Sequence, residues 1–392
     1  MIEIDALKIK EIALGLAQGT QGLKRRFFMC AHSFDDEPRI KVLRGFRGVG
    51  KTTALLQLME RDRAIYFSVD HPYIEGYSLY ELSKQLIKSG YKTLLIDEIQ
   101  YYPNWKQETK ALYDEFREVV IIISGSAPLA FEPERRYDII DVEPLSLKEF
   151  CEIEGRKIEV EEIWGDTEKT LVFLAANPWI YEQYECYLRQ GAFPIYFKYR
   201  EKTLGSIYQS IKKSIREDVP FFSRVDGETI RAMERLLLLL ATAELGDFSI
   251  NSIAKTLEIT KYKGYEIVSL LEAMRILRLI RPHAKGPKLV RGDPKLMFYH
   301  PNLRWAVCSM LGVTPSRGAL REELAVFSFI QRGWKVSTIK GMKKNPDYLI
   351  ERHNETILIE IGGSSKTTAQ FAGMKGRKEI IDDRRLITLA WF

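Results

Sequence analysis

Between residues 45 and 53 the chain reads Gly45-Phe-Arg-Gly48-Val49-Gly50-Lys51-Thr52-Thr53, which fits G-x-x-x-x-G-K-[ST] at each defined position. An apolar Ile40–Leu43 precedes it and a helix-prone Thr53–Glu60 follows, so the motif has the strand, loop and helix that a phosphate-binding P-loop needs. In such a loop the backbone N–H groups of Gly48 to Thr52 surround the phosphates, and the glycines admit the dihedrals and the close approach. The expected binding set is Gly45, Gly48, Val49, Gly50, Lys51, Thr52 and Thr53, with ATP as the ligand. Lys51 would reach the β- and γ-phosphates and Thr52 would place its hydroxyl on Mg²⁺.

Short apolar, β-branched runs recur at 64–70, 92–98, 119–124 and 138–142, separated by helix-sized segments, and this pattern predicts a parallel α/β sheet. The run Thr93-Leu-Leu-Ile-Asp97-Glu98 ends in two acids about forty-five residues past the loop, as a Walker B strand should. Asp97 would hold the magnesium through water, and Glu98 would be the general base that orients the attacking water. At the end of the next strand Ser124 is the first candidate to sense the γ-phosphate and Ser126 the second. Arg135 and Arg136 suit an arginine finger supplied by a second subunit, with a solvated surface pair as the plainer alternative.

At 392 residues the chain exceeds one core, and about two or three domains are expected. The four cysteines, Cys30, Cys151, Cys186 and Cys308, form no C-x-x-C pair, so neither a disulfide framework nor a cysteine zinc site is indicated. The N-terminus carries Glu3 and Asp5, and the longest apolar run, Leu236–Ala241, is far short of a membrane span; a cytoplasmic protein without a membrane partner is expected. The net charge of +6 is uneven, with 20 Lys and Arg against 10 Asp and Glu from Arg281 to Phe392. A nucleic-acid footprint and a solubilising surface both account for that excess.

After Pro144 the pattern turns helical to about residue 245, including a buried helix at Met233–Ala243. From Phe248 to Thr260 the chain predicts a short helix and turn, then an amphipathic helix over Lys261–Leu277, the spacing of a helix-turn-helix. Leu279–Arg281 and Lys295–Tyr299 would make the strands of a wing, and Gly312–Gly318 marks a boundary. The last segment is expected to hold a helix (Leu320–Gln331) and strands at Trp334–Ile339, Asp347–Glu351, Thr356–Ile361 and Leu386–Trp391. The predicted organisation is a P-loop core at 1–150 with an N-terminal helix within 1–30, a helical lid at 151–228, a winged helix at 229–311 and a small α/β domain at 312–392.

The strings Leu43–Thr53, Leu95-Ile-Asp-Glu-Ile-Gln-Tyr-Tyr-Pro-Asn-Trp105, Ser124-Gly-Ser126 and Pro144-Leu-Ser-Leu-Lys-Glu-Phe150 together resemble prokaryotic AAA-type ATP-binding proteins that carry a C-terminal domain of unknown function. The resemblance continues through Tyr187–Pro194, the winged-helix segment and Lys295–His300, and covers nearly everything after about residue 25. It implies an AAA-like P-loop sheet followed by lid, winged helix and a nuclease-like domain. It places Arg136 at the finger position, and His300 stands where an aspartate is usual. The final domain resembles a restriction-endonuclease core, whose acids fall on Glu323, Asp347 and Glu360. The position that should be lysine is Gly362, with Lys366 as a substitute further on, so a vestigial metal site without cleavage is expected.

Three functions follow. The first is a slow P-loop ATPase acting as a nucleotide-controlled switch on duplex DNA, or on a DNA-bound partner, with weak sequence preference and a second subunit left open. Lys261, Lys263 and Tyr265 on the second helix and Lys285, Lys288, Arg291 and Lys295 in the wing would touch phosphates. The others are an ATP-gated metal-dependent nuclease and a nucleotide-controlled protein-interaction module that never touches DNA.

Overall fold

The computed structural model describes residues 5–20, 22, 24, 25, 27, 28, 40–126, 135–160, 162–246, 248–284, 292–339, 345–363, 371 and 373–391. Two compact units divide the chain, Met1–Glu143 and Pro144–Phe392.

In the first unit, helix α1 (Ala6–Ala17) starts at Asp5, whose carboxylate accepts from the Leu7 and Lys8 N–H groups. Then follow β1 (Ile40–Arg44), α2 (Lys51–Leu58), β2 (Ala64–Ser68), α3 (Leu79–Lys88), β3 (Thr93–Asp97), α4 (Trp105–Glu115), β4 (Val120–Gly125) and β5 (Tyr137–Asp141). All five strands run parallel in the order β2-β3-β4-β1-β5. β1, β3 and β4 are almost wholly buried, because helices cover both faces of a parallel sheet; such strands read as unbroken apolar runs. β2 and β5 are the two edges, and β5 is mostly part-exposed. The order matters for the site: β4 lies between the strand that feeds the P-loop and the strand that ends in Asp97.

The second unit opens with helices, among them α5 (Leu147–Ile153), α6 (Thr167–Ala176), α7 (Ile180–Cys186), α8 (Thr203–Lys213) and α9 (Gly227–Thr242). A π-helical turn, Tyr187–Gly191, extends α7, and Asn302 secures it: the Asn302 amide donates to the Tyr187 and Leu188 carbonyls (both 2.9 Å) and accepts from Ala192 N (2.8 Å). Gly191 is required there, since a Cβ would lie 2.7 Å from the Phe150 ring. Next come α10 (Ile250–Leu257), α11 (Lys261–Ala273) and an antiparallel pair of β6 (Leu277–Ile280) with β7 (Lys295–Phe298). The helix predicted to reach Leu277 stops at Ala273, because Arg275 turns left-handed (φ 57°) and Leu277 already belongs to β6.

Helices α12 (Pro301–Leu311) and α13 (Arg317–Gln331) lead into a four-stranded sheet, β11-β10-β9-β8, made of β8 (Lys335–Ser337), β9 (Tyr348–Arg352), β10 (Glu355–Ile361) and β11 (Arg377–Ile381). A parallel bridge, Pro282 to Thr338, ties the strand pair to the β8 edge, with His283 N donating to Thr338 O (2.8 Å) and Thr338 N to Arg281 O (3.1 Å). One expected strand is a helix: Leu386–Trp391 falls largely within α14 (Asp383–Ala390), and the fourth strand is the polar Arg377–Ile381. Asp382 caps α14 by accepting from Arg385 N (2.9 Å), and a short apolar run does not distinguish a buried strand from a buried helix.

Deep in this unit Arg304 on α12 closes the C-terminus of α9, donating to the Leu240 and Ala241 carbonyls (2.6 and 3.1 Å). The same guanidinium donates twice to Glu323 Oε1 on α13 (3.0 and 2.8 Å), and Phe298 N of β7 donates to that oxygen too (2.9 Å). Four elements therefore meet at one buried ion pair. Among the described residues no helix is long and apolar enough to cross a membrane.

Candidate active site

The loop after β1 holds its shape through glycine. Gly48 (φ 79°) and Gly50 (φ 100°) lie in the left-handed region, and a Cβ on Gly45 would fall 2.2 Å from the Val142 carbonyl oxygen. Gly50 then leads into α2, so Lys51, Thr52 and Thr53 form its first turn. The buried Lys51 ammonium donates to the Gly45 and Phe46 carbonyls (2.9 and 3.0 Å). Val49 is wholly buried, and its carbonyl accepts from Arg25 (2.5 Å), which also donates to Glu143 O (2.9 Å).

Asp97 ends β3, only 2% exposed. Its carboxylate accepts from Ser124 Oγ, from Tyr66 OH (3.0 Å) and from Glu98 N (3.0 Å). Burial, then the neighbouring Glu98 charge, push its pKa up, against the hydroxyls of Ser124, Thr52 and Tyr66. Among the described residues no lysine or arginine forms an ion pair with it. A buried carboxylate close to the P-loop threonine, with no Lys or Arg ion pair among the described residues, fits a magnesium ion, which takes oxygen ligands and usually keeps several waters.

Glu98 sits one residue on, in a left-handed conformation (φ 50°, ψ 37°). Oε2 accepts from Ser126 Oγ (2.9 Å) and from the Gln100 side-chain amide. Burial opposes its charge, but Lys51, Gln100, Arg47 and Ser126 together hold its pKa below the usual carboxylate value. The two serines thus divide the acids between them: Ser124 serves Asp97 and Ser126 serves Glu98. β4 puts both in place because it lies next to β3.

Lys51, Thr52, Asp97, Glu98, Ser124 and Ser126 are thereby brought together at the C-terminal end of the sheet, where ligands of open α/β sheets bind. Arg136 is not among them. It precedes β5, at the end of the sheet opposite Arg44, about 15 Å away over five strand residues. Its guanidinium pairs with Asp114 (3.3 Å), and Arg135 beside it is exposed. Neither arginine reaches the P-loop of its own chain.

Of the three acids of the expected nuclease site, Asp347, just before β9, and Glu360 of β10 lie at neighbouring positions, whereas Glu323 is turned to another partner. Glu323 is committed to Arg304, Asp347 accepts from Ile361 N (2.7 Å), and Glu360 is buried in β10. No group of three or more His, Cys, Asp or Glu able to hold a metal occurs among the described residues. Gly362 donates its N–H to Ile381 O (3.1 Å), and Lys366 lies outside the described residues. His300 caps α12, its Nδ1 accepting from Asn302 N (3.2 Å); an acceptor is what an aspartate would offer there. Lys295 is drawn onto Glu322 and over the Tyr348 ring, whereas Lys285, Lys288 and Arg291 fall outside the described residues. On α11 Tyr262 is 80% and Tyr265 43% exposed, Lys261 lies over Tyr265 and Lys263 pairs with Glu266 (3.3 Å).

Sequence reasoning missed Arg25, Tyr66 and Gln100. Gln100 stands two residues after Glu98 and carried a signal in its proximity; nothing in the string around Arg25 or Tyr66 singles them out.

This sheet order and site are those of a P-loop nucleotide-binding domain. Residues 37–151 match the model of an AAA domain, and residues 181–317 that of a domain of unknown function (DUF8612). An uncharacterized protein of Methanocaldococcus jannaschii is 28% identical over 379 residues, covering 86% of this chain and 78% of that protein. An uncharacterized protein of Haemophilus influenzae is 23% identical over 355 residues, 84% of this chain and 83% of its own. Of solved structures, the Walker-type ATPase of Pyrococcus abyssi aligns with TM-score 0.44 and 13% identity, over 72% of this chain and 95% of that one. AMPPCP-bound DnaA from Aquifex aeolicus aligns with TM-score 0.23 and 14% identity, over 67% and 86%.

Proposed function

We propose that the protein binds ATP with Mg²⁺ and hydrolyses it, and that the nucleotide state acts as a switch. The observation that carries this reading is the convergence of Lys51, Thr52, Asp97 and Glu98 around one loop, with Asp97 buried close to Thr52 and Glu98 held charged beside Lys51. Magnesium would supply charge neutralisation for the β- and γ-phosphates. The P-loop N–H groups and the Lys51 ammonium bind and orient the phosphates. Asp97 and Thr52 hold the metal's side of the site. Glu98 accepts a hydrogen bond from water and aligns it for in-line attack. In solution, Lys51→Ala should abolish binding of a fluorescent ATP analogue. Glu98→Gln should bind ATP yet lose at least about 100-fold in turnover; an equally fast Glu98→Gln enzyme would rule out Glu98 as base. Arg136 is proposed to act on the site of a second copy of the chain, since it lies at the far end of the sheet from its own.

What the switch acts on is inferred from α10, α11 and the β6–β7 pair, whose order supports a winged-helix reading. The exposed Tyr262 and the lysines at the start of α11 favour duplex DNA as partner, bound through phosphates. The retention of labelled duplex over a salt series, with ADP and with non-hydrolysable ATP, tests this. No retention in either state would favour a protein partner. The nuclease-like reading of the final sheet is kept as a fold without cleavage, because Glu323 is occupied by Arg304.

A further inference from the structure

We infer that Gln100 is a positioning residue for Glu98; the inference rests on reading Glu98 as the base. The chain reverses sharply where β3 ends. Glu98 takes up a left-handed conformation and a single 3₁₀ turn, Ile99–Tyr101, follows, so that Gln100 folds back onto the acid two residues before it. The Gln100 side chain is 1% exposed. Its Nε2 donates to Glu98 Oε2 and to Ser126 Oγ (3.1 Å), and Ser126 Oγ donates to the same Oε2 (2.9 Å). The three side chains close a triangle.

Two features of the triangle bear on the water that Glu98 must hold. Both hydrogen bonds fall on Oε2, which stops rotation about the last bond of Glu98 and leaves Oε1 as the oxygen that accepts from water. The Gln100 carbonyl Oε1 is buried without a donor among the described residues. Turning the amide over would set that carbonyl against the Glu98 carboxylate, so the orientation serves Glu98 at the expense of an unmet acceptor. A glutamine there only to fill space has no reason to be held that way.

The test compares Gln100→Met, which keeps volume and removes both donors, with the parent chain. The variant should lose about tenfold to a hundredfold in kcat, the scale on which a misplaced group costs rate. Its Kd for a non-hydrolysable ATP analogue should stay within about twofold and its thermal midpoint close to that of the parent. In a Glu98→Gln background the same substitution should cost nothing more, because it acts through Glu98. Ser126→Ala, which removes the other donor to Oε2, gives the same signature more weakly and serves if Gln100→Met does not fold. An unchanged kcat in an active parent would overturn the inference alone. So would a joint fall in kcat and affinity, or an undiminished effect in the Glu98→Gln background. A parent chain that turns over no ATP would overturn the assignment of Glu98, and the inference with it.

Discussion

His300 shows what one substitution asks of its surroundings. A cap of α12 must offer an acceptor, and a neutral imidazole does so through Nδ1 only if the ring stays unprotonated. Burial, then the nearby charge of Arg278, push its pKa down to about 3, while Tyr187 OH lies 3.4 Å from Nε2 and the rings of Tyr187, Phe193 and Phe327 pack edge-on around it. The sign follows: the folded value is below the unfolded one, near 6.5, so the stability contributed by the neutral ring is whole above that pH and is lost as pH falls toward 3. Going from pH 7 to pH 5 should cost the protein about 2 kcal/mol more than it costs His300→Asn, in which the cap acceptor does not titrate. Urea denaturation at the two pH values measures the difference. At the same scale, the chemistry of Lys51, Thr52 and Asp97 was legible because a phosphate chain and its metal dictate residue types at fixed spacing. Tyr66 was not, because its bond to Asp97 depends on which strand neighbours which and spacing carries no strand order; Gln100 stood close by in the string, but its role depends on the turn that folds it back onto Glu98.

Among elements, the legible ones are those whose burial leaves a one-dimensional trace. β1 to β4 read as apolar runs because helices cover both faces of the sheet, and α10 and α11 read as helices because Ile250, Ile253, Ala254 and Leu257, then Ile267, Val268 and Leu271, are the buried positions. α14 was misread: Leu386 to Trp391 are all buried, so within that apolar run no exposed position betrayed its period. β11 was missed for the opposite reason, since Arg377, Lys378 and Glu379 make it charged and largely open. Glu323 was read as a metal acid because a helix acid is one sign of that site, whereas its partner Arg304 is 19 positions away in sequence. Removing the partner should be severe: Arg304→Met leaves a carboxylate 1% exposed without its cation and uncaps α9, costing about 3–5 kcal/mol. The double change Arg304→Met with Glu323→Leu should recover most of that, and equal losses in both variants by urea denaturation would show that the ion pair is not what holds these helices.

For the molecule as a whole, the net charge of +6 says less than its placement. The partner proposed from α11 is testable through its salt dependence, because each phosphate neutralised releases counterion. Lys261→Ala should lower the slope of log affinity against log salt by about 1, and Lys263→Ala by less, because Glu266 already holds that ammonium at 3.3 Å. A slope unmoved by both would place any DNA contact elsewhere. The bridge between Pro282 and Thr338 bears on the same question. It fastens the strand pair to the terminal sheet at an edge, while the Phe298 N–H on Glu323 fastens the same pair to α13 at a core, like a plate held by two rivets. A tug on the β6–β7 pair is therefore borne by the β8 edge and by α13, and whatever grips the pair hauls both with it.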